Sequence, residues 1–417
     1  MNESKRAELL KNWSDRVGKT RKQFFCEWLL GGNGKKSPRD MVNCFLQDIQ
    51  YLWHYLYYLL KHFKHHGSVI KEQYQVSLLR QFYQISYLVF QLRQPPKIYL
   101  KYHLFKPEVW KNADRFTYSH YPIQQIVAKK MYPEELDILL NKRSFHQFCE
   151  TNRISSPGIL GYYDSGNLVA AEGGFEMPEE DIFVKEIAGQ MGIGAKRFSY
   201  RDGKFRDIHG NDYSKENVLK FIKEYSKKNS SLIIQRVVQN HEFWLPFTSG
   251  ALATCRVVTA KNPRTNDIEL LFSSLRMPVG NSDVDNYSRG GLVSVVDAET
   301  GILGKAYCSV PIAGKFEHDF HPDTGQLING AKLPGWSDLV SFILNLHVNL
   351  RSPFIGWDVA LTTEGCMVLE GSLYWNPGAS YEVAHHLPFS KSNYPVYFED
   401  WVGDKIDNRA DYSDSIF

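Results

Sequence analysis

The chain has 417 residues, of which 43% are hydrophobic and 23% charged, and its net charge is +3. A single core rarely sustains that length, so two or three packed lobes are expected, with the composition of a folded chain rather than a disordered one. The small net charge excludes any strong whole-molecule attraction to nucleic acid. Cys26, Cys44, Cys149, Cys255, Cys308 and Cys366 are scattered without C-x-x-C spacing, which argues against a zinc or disulfide scaffold and for a reduced, cytoplasmic chain. The charged start, Met1-Asn2-Glu3-Ser4-Lys5-Arg6, lacks a signal-peptide core. No apolar run approaches the ~18 residues of a membrane-spanning helix.

Residues 1 to about 94 read as helical. Phe45, Ile49, Trp53, Leu56, Leu60 and Phe63 recur at helical spacing and are expected to form the core of a helical subdomain. Gly31-Gly32-Asn33-Gly34 and Ser37-Pro38 mark a break, with Asp40 as the cap of the next helix. A second helical run, Tyr74 to Leu92, stops at Pro95-Pro96. The basic, aromatic surface Lys61-His62-Phe63-Lys64-His65-His66 is open to a second reading, as a contact with a membrane face or a partner.

From Pro133 the texture becomes mixed. One helix is expected over 133–151, with the proline in its first turn. Strands are expected at Leu168–Phe175, Ile182–Ile187 and Leu232–Val238, with an amphipathic helix over Lys215–Lys228. Ala253–Thr259, Asp267–Arg276, Gly291–Asp297 and Gly304–Val310 follow as a largely antiparallel sheet. A helix over Ser337–Val348 precedes strands Ile355–Leu361 and Cys366–Glu370, joined by the turn Thr362-Thr363-Glu364-Gly365. The polar stretch from Asp407 reads as a frayed tail.

Three constellations carry chemistry. In the first, a strand delivers Lys185, and Gly189, Gly192 and Gly194 follow at once. Glycines let backbone N–H groups approach phosphate oxygens, and lysine adds charge; a hairpin turn explains the glycines equally. In the second, the apolar strand Ile233-Ile234-Gln235-Arg236-Val237-Val238 emerges toward Glu242, able to line an adenine slot or to be a plain strand. In the third, Asp358 and Glu370 stand on adjacent strands of a hairpin, with Asn376 nearby. Two carboxylates and an amide oxygen form a hard site suited to magnesium on nucleotide phosphates, or two incidental acids.

The order of these features resembles the ATP-grasp superfamily. Asn141-Lys142 with Phe145 and Ile154-Ser155-Ser156-Pro157, Ala253-Thr254-Cys255-Arg256-Val257-Val258-Thr259, Val284-Asp285-Asn286-Tyr287-Ser288-Arg289-Gly290-Gly291, His321-Pro322-Asp323-Thr324-Gly325 and Gly356-Trp357-Asp358-Val359-Ala360 are together similar to its sugar-transfer-associated branch, over roughly residues 120 to 385. The resemblance implies an α+β, two-lobe clasp with antiparallel sheets, preceded by a helical N-terminal region. The implied divisions are 1–110 helical, 111–157 a leading segment, 158–240 the small lobe, 241–405 the C-terminal lobe and 406–417 a tail. It implies ATP and Mg2+ as cofactors. Lys142 and Lys185 would touch phosphates, Gly189, Gly192 and Gly194 would cover them, and Gln235 and Val238 would read adenine. Glu242 would meet ribose, and Asp358, Glu370 and Asn376 would hold the metal.

Two positions depart from the family pattern. Ser372 stands where relatives carry asparagine, and Gly356 where many ligases place an arginine. Arg256, Arg276 or Arg289 would replace that arginine, Arg256 first because it lies mid-strand. The implied activity is joining a small-molecule or saccharide carboxylate to an amine through an acyl phosphate, in surface polysaccharide or glycoconjugate modification. A kinase with a hydroxyl acceptor and a nucleotide-binding scaffold without turnover are the alternatives. The implied setting is cytoplasmic, at the inner membrane face if the N-terminal helices make contact there.

Overall fold

The computed structural model describes residues 52–116, 132–170, 175–187, 194–392 and 397, apart from positions 54, 93, 229, 249, 374 and 376. The expected break at Gly31–Gly34, the cap at Asp40 and the tail therefore lie outside the described residues. Residues 55–65 are helical, and α1 (Gly67–Tyr74) and α2 (Leu78–Phe90) follow. The expected helix from Tyr74 to Leu92 starts later, because Ser77 caps it by accepting a hydrogen bond from Arg80 N. Two short helices, α3 (Ile98–Lys101) and α4 (Pro107–Trp110), complete the region. The expected core stripe is corrected in part: Phe63 packs against the core, but Trp53, Leu56 and Leu60 face outward, and Tyr55, Leu59, His62 and Ile70 are buried instead, while Phe45 and Ile49 lie outside the described residues. Both sides of this helix are apolar, so periodicity alone could not say which faces in.

The single helix expected over 133–151 is two, α5 (Pro133–Leu140) and α6 (Lys142–Thr151). Asn141 breaks them apart with extended backbone, and its side chain accepts from Arg143 N as the cap of α6. Next comes a seven-stranded sheet of β1 (Ile159–Asp164), β2 (Asn167–Ala170), β3 (Ile182–Glu186), β4 (Lys196–Arg201), β5 (Lys204–Arg206), β6 (Asp212–Tyr213) and β7 (Leu232–Arg236), ordered β2-β1-β7-β3-β4-β5-β6. Its pairings are antiparallel. The helix α7 (Lys215–Lys228) buries Val218 and Ile222 in the core of this sheet, with Phe198 and Phe205.

A second seven-stranded sheet contains β8 (Thr254–Lys261), β9 (Ile268–Met277), β10 (Leu292–Val296), β11 (Leu303–Ile312), β12 (Lys315–His318), β13 (Phe354–Thr362) and β14 (Gly365–Ser372), ordered β12-β11-β10-β9-β8-β13-β14. It too is antiparallel. Helix α8 (Trp336–His347) contributes Leu339 and Ile343 to its core, and α5 and α6 add Leu139 and Phe145. The helical N-terminal region joins this sheet at its other end, where Tyr99, Tyr102 and Phe105 share a core with Val293 and Phe316. His103 fastens the junction through Nε2 to the Cys308 carbonyl at 2.8 Å.

The link between the sheets is fastened to the second one. After β7 the chain runs along the tip of the β13–β14 hairpin: Asn240 bridges Thr362, and His241 N donates to Leu361 O at 3.1 Å.

Candidate nucleotide and metal site

Strand β13 is buried along all nine residues and reads Phe-Ile-Gly-Trp-Asp-Val-Ala-Leu-Thr. Asp358 is its one charge, and a carboxylate withdrawn from water needs partners. Register supplies them. Asp358 pairs across to Glu370 on β14 and to Arg256 on β8. Arg256 in turn pairs with Ser274 on β9, and Thr254 with Arg276. One face of four adjacent strands thus carries a row of charge.

Arg256 approaches Asp358 with Nε 2.6 Å from Oδ1 and Nη2 3.2 Å from Oδ2. Arg276 places Nη2 2.8 Å from the same Oδ2. Burial pushes the Asp358 carboxyl up, but the two guanidinium groups outweigh it and hold the group below the usual carboxylate range. Arg276 also lies 3.5 Å from Asp285 and donates to Thr254 Oγ1 at 3.0 Å, while Thr254 donates to Asp285. Burial raises the Asp285 carboxyl, an effect that Arg276 and Thr254 offset only in part. Arg256, preferred from the sequence, and Arg276, the alternative, therefore both reach the acid. Arg289 does not: it sits exposed on a 3-10 turn and makes no ion pair among the described residues.

The missing arginine before Asp358 has a packing cause. A Cβ on Gly356 would stand 2.4 Å from Trp375 Cβ, so no side chain fits there. Asp285 and Thr254 were missed as site residues, although both stand inside motifs that the sequence singled out. His321, in another of those motifs, donates from Nε2 to Pro278 O at 3.0 Å, and Asp323 accepts from Gly280 N at 2.7 Å. This turn anchors the loop that leads into Asp285.

Two lysines face the acids. Lys142 opens α6, and its Nζ lies 3.6 Å from Glu370 and 3.3 Å from Ile187 O at the end of β3, so it spans the two sheets. Lys185 is on β3, opposite Ile233 of β7. The residue is half-buried, and its desolvation, with repulsion from Lys142, lowers its pKa to about 8 despite the attraction of Glu370 and Asp358. Gln235 is buried on β7 between Ile159 and Phe183. Val238 is half-buried on the link, and Glu242 is exposed on the turn beyond it, beside the hairpin tip rather than the charged row. Gly194 has φ +69°, and a Cβ there would meet Tyr225 Oη at 2.6 Å and Glu186, so packing alone demands glycine. Gly189, Gly192 and Asn376 lie outside the described residues.

Among the described residues no three His, Cys, Asp or Glu side chains gather into a site made of protein ligands alone. Magnesium needs less than that: one or two carboxylates, with phosphate and water completing its shell. Asp358 and Glu370 are such a pair, and Asp358 Oδ1 is buried without a hydrogen bond, because the close Arg256 Nε is misaligned for one. The donor chemistry fits a hard cation.

The sugar-transfer associated ATP-grasp family model matches residues 124–386. Among solved structures, the chain is similar to D-alanine–D-alanine ligase from Bacillus anthracis, at 12% identity over 64% of this chain and 66% of that one, with a TM-score of 0.33. It is similar to the Helicobacter pylori ligase at 10% identity, 64% and 58% coverage and a TM-score of 0.34. The Vibrio cholerae D-alanyl-alanine synthetase A gives 12%, 66% and 68%, and 0.36. The chain thus spans 58–68% of the length of these three structures. No curated protein matches it. With a family match over well more than half its length, on the stretch that holds both sheets and the charged row, the chain belongs to the sugar-transfer associated ATP-grasp family.

Proposed function

We propose that the chain binds Mg·ATP between its two sheets and uses it to join a carboxylate to an amine. The observation that carries this reading is the charged row with its two facing lysines. Lys142, Lys185, Arg256 and Arg276 surround Asp285, Asp358 and Glu370, a set with a surplus of positive charge. Such a set suits a triphosphate, whose transfer depends on positioning and charge neutralisation more than on acid–base groups. Magnesium held by Asp358 and Glu370 would shield the phosphate oxygens from one another.

In the reaction, an oxygen of the substrate carboxylate attacks the γ-phosphorus, the bond to the ADP oxygen breaks, and ADP leaves. The amine then attacks the acyl carbon, phosphate departs, and the amine gives up a proton. Lys185 and Lys142 neutralise the α- and β-phosphates of the nucleotide. Arg276 steadies the acyl phosphate in the place of the arginine that Gly356 excludes. The family's association with sugar transfer points to a uronate or other saccharide carboxylate, in surface polysaccharide or glycoconjugate modification.

Calorimetry with Mg·ATP tests the nucleotide step. Lys185→Ala and Asp358→Asn are each expected to weaken binding by about tenfold or more, the worth of a buried charge contact. Unchanged affinity in both variants would end the proposal. ADP release that requires both an acid and an amine supports the ligase. Release with a hydroxyl acceptor and no amine would replace it by a kinase.

A further inference from the structure

The helical N-terminal region presents an apolar face that the nucleotide site does not use. Along residues 52–65 the outward positions are Trp53, Leu56 and Leu60, with Trp53 69% and Leu60 74% exposed. On α2 they are Leu79, 78% exposed, with Phe82 and Tyr83. Single exposed leucines are ordinary, but a contiguous run of aromatic and aliphatic side chains marks an interaction surface.

The two helices lie side by side and antiparallel. Tyr55 Oη is 2.7 Å from Ser86 Oγ and its ring 4.9 Å from Phe90, while further along His62 Nε2 is 2.8 Å from Gln81 Oε1. Their outward stripes therefore form one surface. At the end where His62 meets Gln81, the same surface carries the exposed cations Lys61, Lys64 and Arg80. No acid occurs on either helix, and residues 73–107 contain none at all. From 52 to 116 there are ten lysines and arginines against three acids, although the whole chain is only +3. Lys101 and Lys106 turn inward, leaving the other described cations of the region on the surface.

We propose that this face docks on a bilayer surface containing anionic lipid. Tryptophan, tyrosine and leucine on one face of a helix, rimmed by lysine and arginine, is the composition that lies in a membrane interface. The cations add attraction to anionic headgroups. Among the described residues no helix is long and apolar enough to cross, so the contact is peripheral. A binding face of another protein would be expected to carry acids as well as bases along its rim, and this one carries only bases.

The test is co-sedimentation of the full chain with vesicles of phosphatidylcholine, with and without phosphatidylglycerol. Binding is expected only with phosphatidylglycerol, and weaker at high salt. Two variants, Trp53→Ser/Leu60→Ser/Leu79→Ser and Lys61→Glu/Lys64→Glu, are each expected to lose about tenfold in affinity. Both should keep the circular dichroism and the Mg·ATP affinity of the parent, so failure here is separable from failure of the nucleotide reading. The proposal falls if the parent chain ignores phosphatidylglycerol vesicles or if both variants sediment like the parent. It also falls if the serine variant turns a dimeric parent monomeric without any lipid binding, which would assign the face to a second copy. Lipid binding that appears only after removal of residues 1–51 would overturn it as well, because that segment would then be the occupant.

Discussion

Lys185 illustrates how far one residue's chemistry follows from its surroundings. A lysine at the end of an apolar strand, followed by glycines, stands out in the sequence; its lowered pKa, about 8, depends on burial and on Lys142, which arrives from 43 positions away. In the unfolded chain this group titrates near 10.5, so the folded state binds fewer protons between pH 8 and 10.5, and stability of the free protein rises with pH across that window. Phosphate oxygens beside the ammonium would favour its charged form. Nucleotide binding above about pH 8 is therefore expected to take up a proton, and affinity to fall as pH climbs through that value. Calorimetry in two buffers of different ionisation enthalpy reads the proton directly, and Lys185→Met should abolish the difference. Asp358 was equally legible, as a lone charge in an apolar run. Arg276 was named only as an alternative arginine and Thr254 and Asp285 not at all as site residues, because only the fold brings Arg276 to Asp358 and Thr254 and Asp285 to Arg276.

At the scale of elements, strand positions came through well, since apolar runs bounded by polar turns mark them. The sequence placed β13 and β14 within one to two residues of their observed ends, and their turn as observed. It missed β1, β4, β5, β6 and β12, runs of two to six residues whose alternation is too brief to read, and it merged α5 with α6 because Asn141 interrupts without a proline or glycine. Gly356 shows an element shaped by what packs on it. With Trp375 Cβ 2.4 Å from where its own Cβ would stand, Gly356→Ala is expected to cost roughly 1–3 kcal/mol, the usual penalty of overpacking. Urea denaturation measures it as a lowered midpoint at unchanged slope. Restoring the family pattern with Gly356→Arg should fail to fold, since the guanidinium has nowhere to go.

The molecule as a whole depends on contact between the sheets, which Lys142 makes by touching both Glu370 and Ile187 O. A ligand gripped from both sides stabilises both lobes at once. Mg·ATP at about a hundred times its Kd is expected to add ~2.7 kcal/mol of stability by mass action. A thermal shift should report it, and a chelator should remove most of the shift while leaving the midpoint of the free protein unchanged. By itself the sequence determined the helical region, the antiparallel strands and which lysines and acids to watch, because apolar periodicity and misplaced charge are local signals, and the two-lobe clasp came from the family resemblance its motifs carry. Tertiary structure alone decided that Arg256 and Arg276 converge on Asp358 and that Arg289 stays away. It also decided that the aromatic stripe of the N-terminal helices faces outward. Each is a choice between faces or partners that are chemically alike in sequence, and only packing across distant strands and helices distinguishes them.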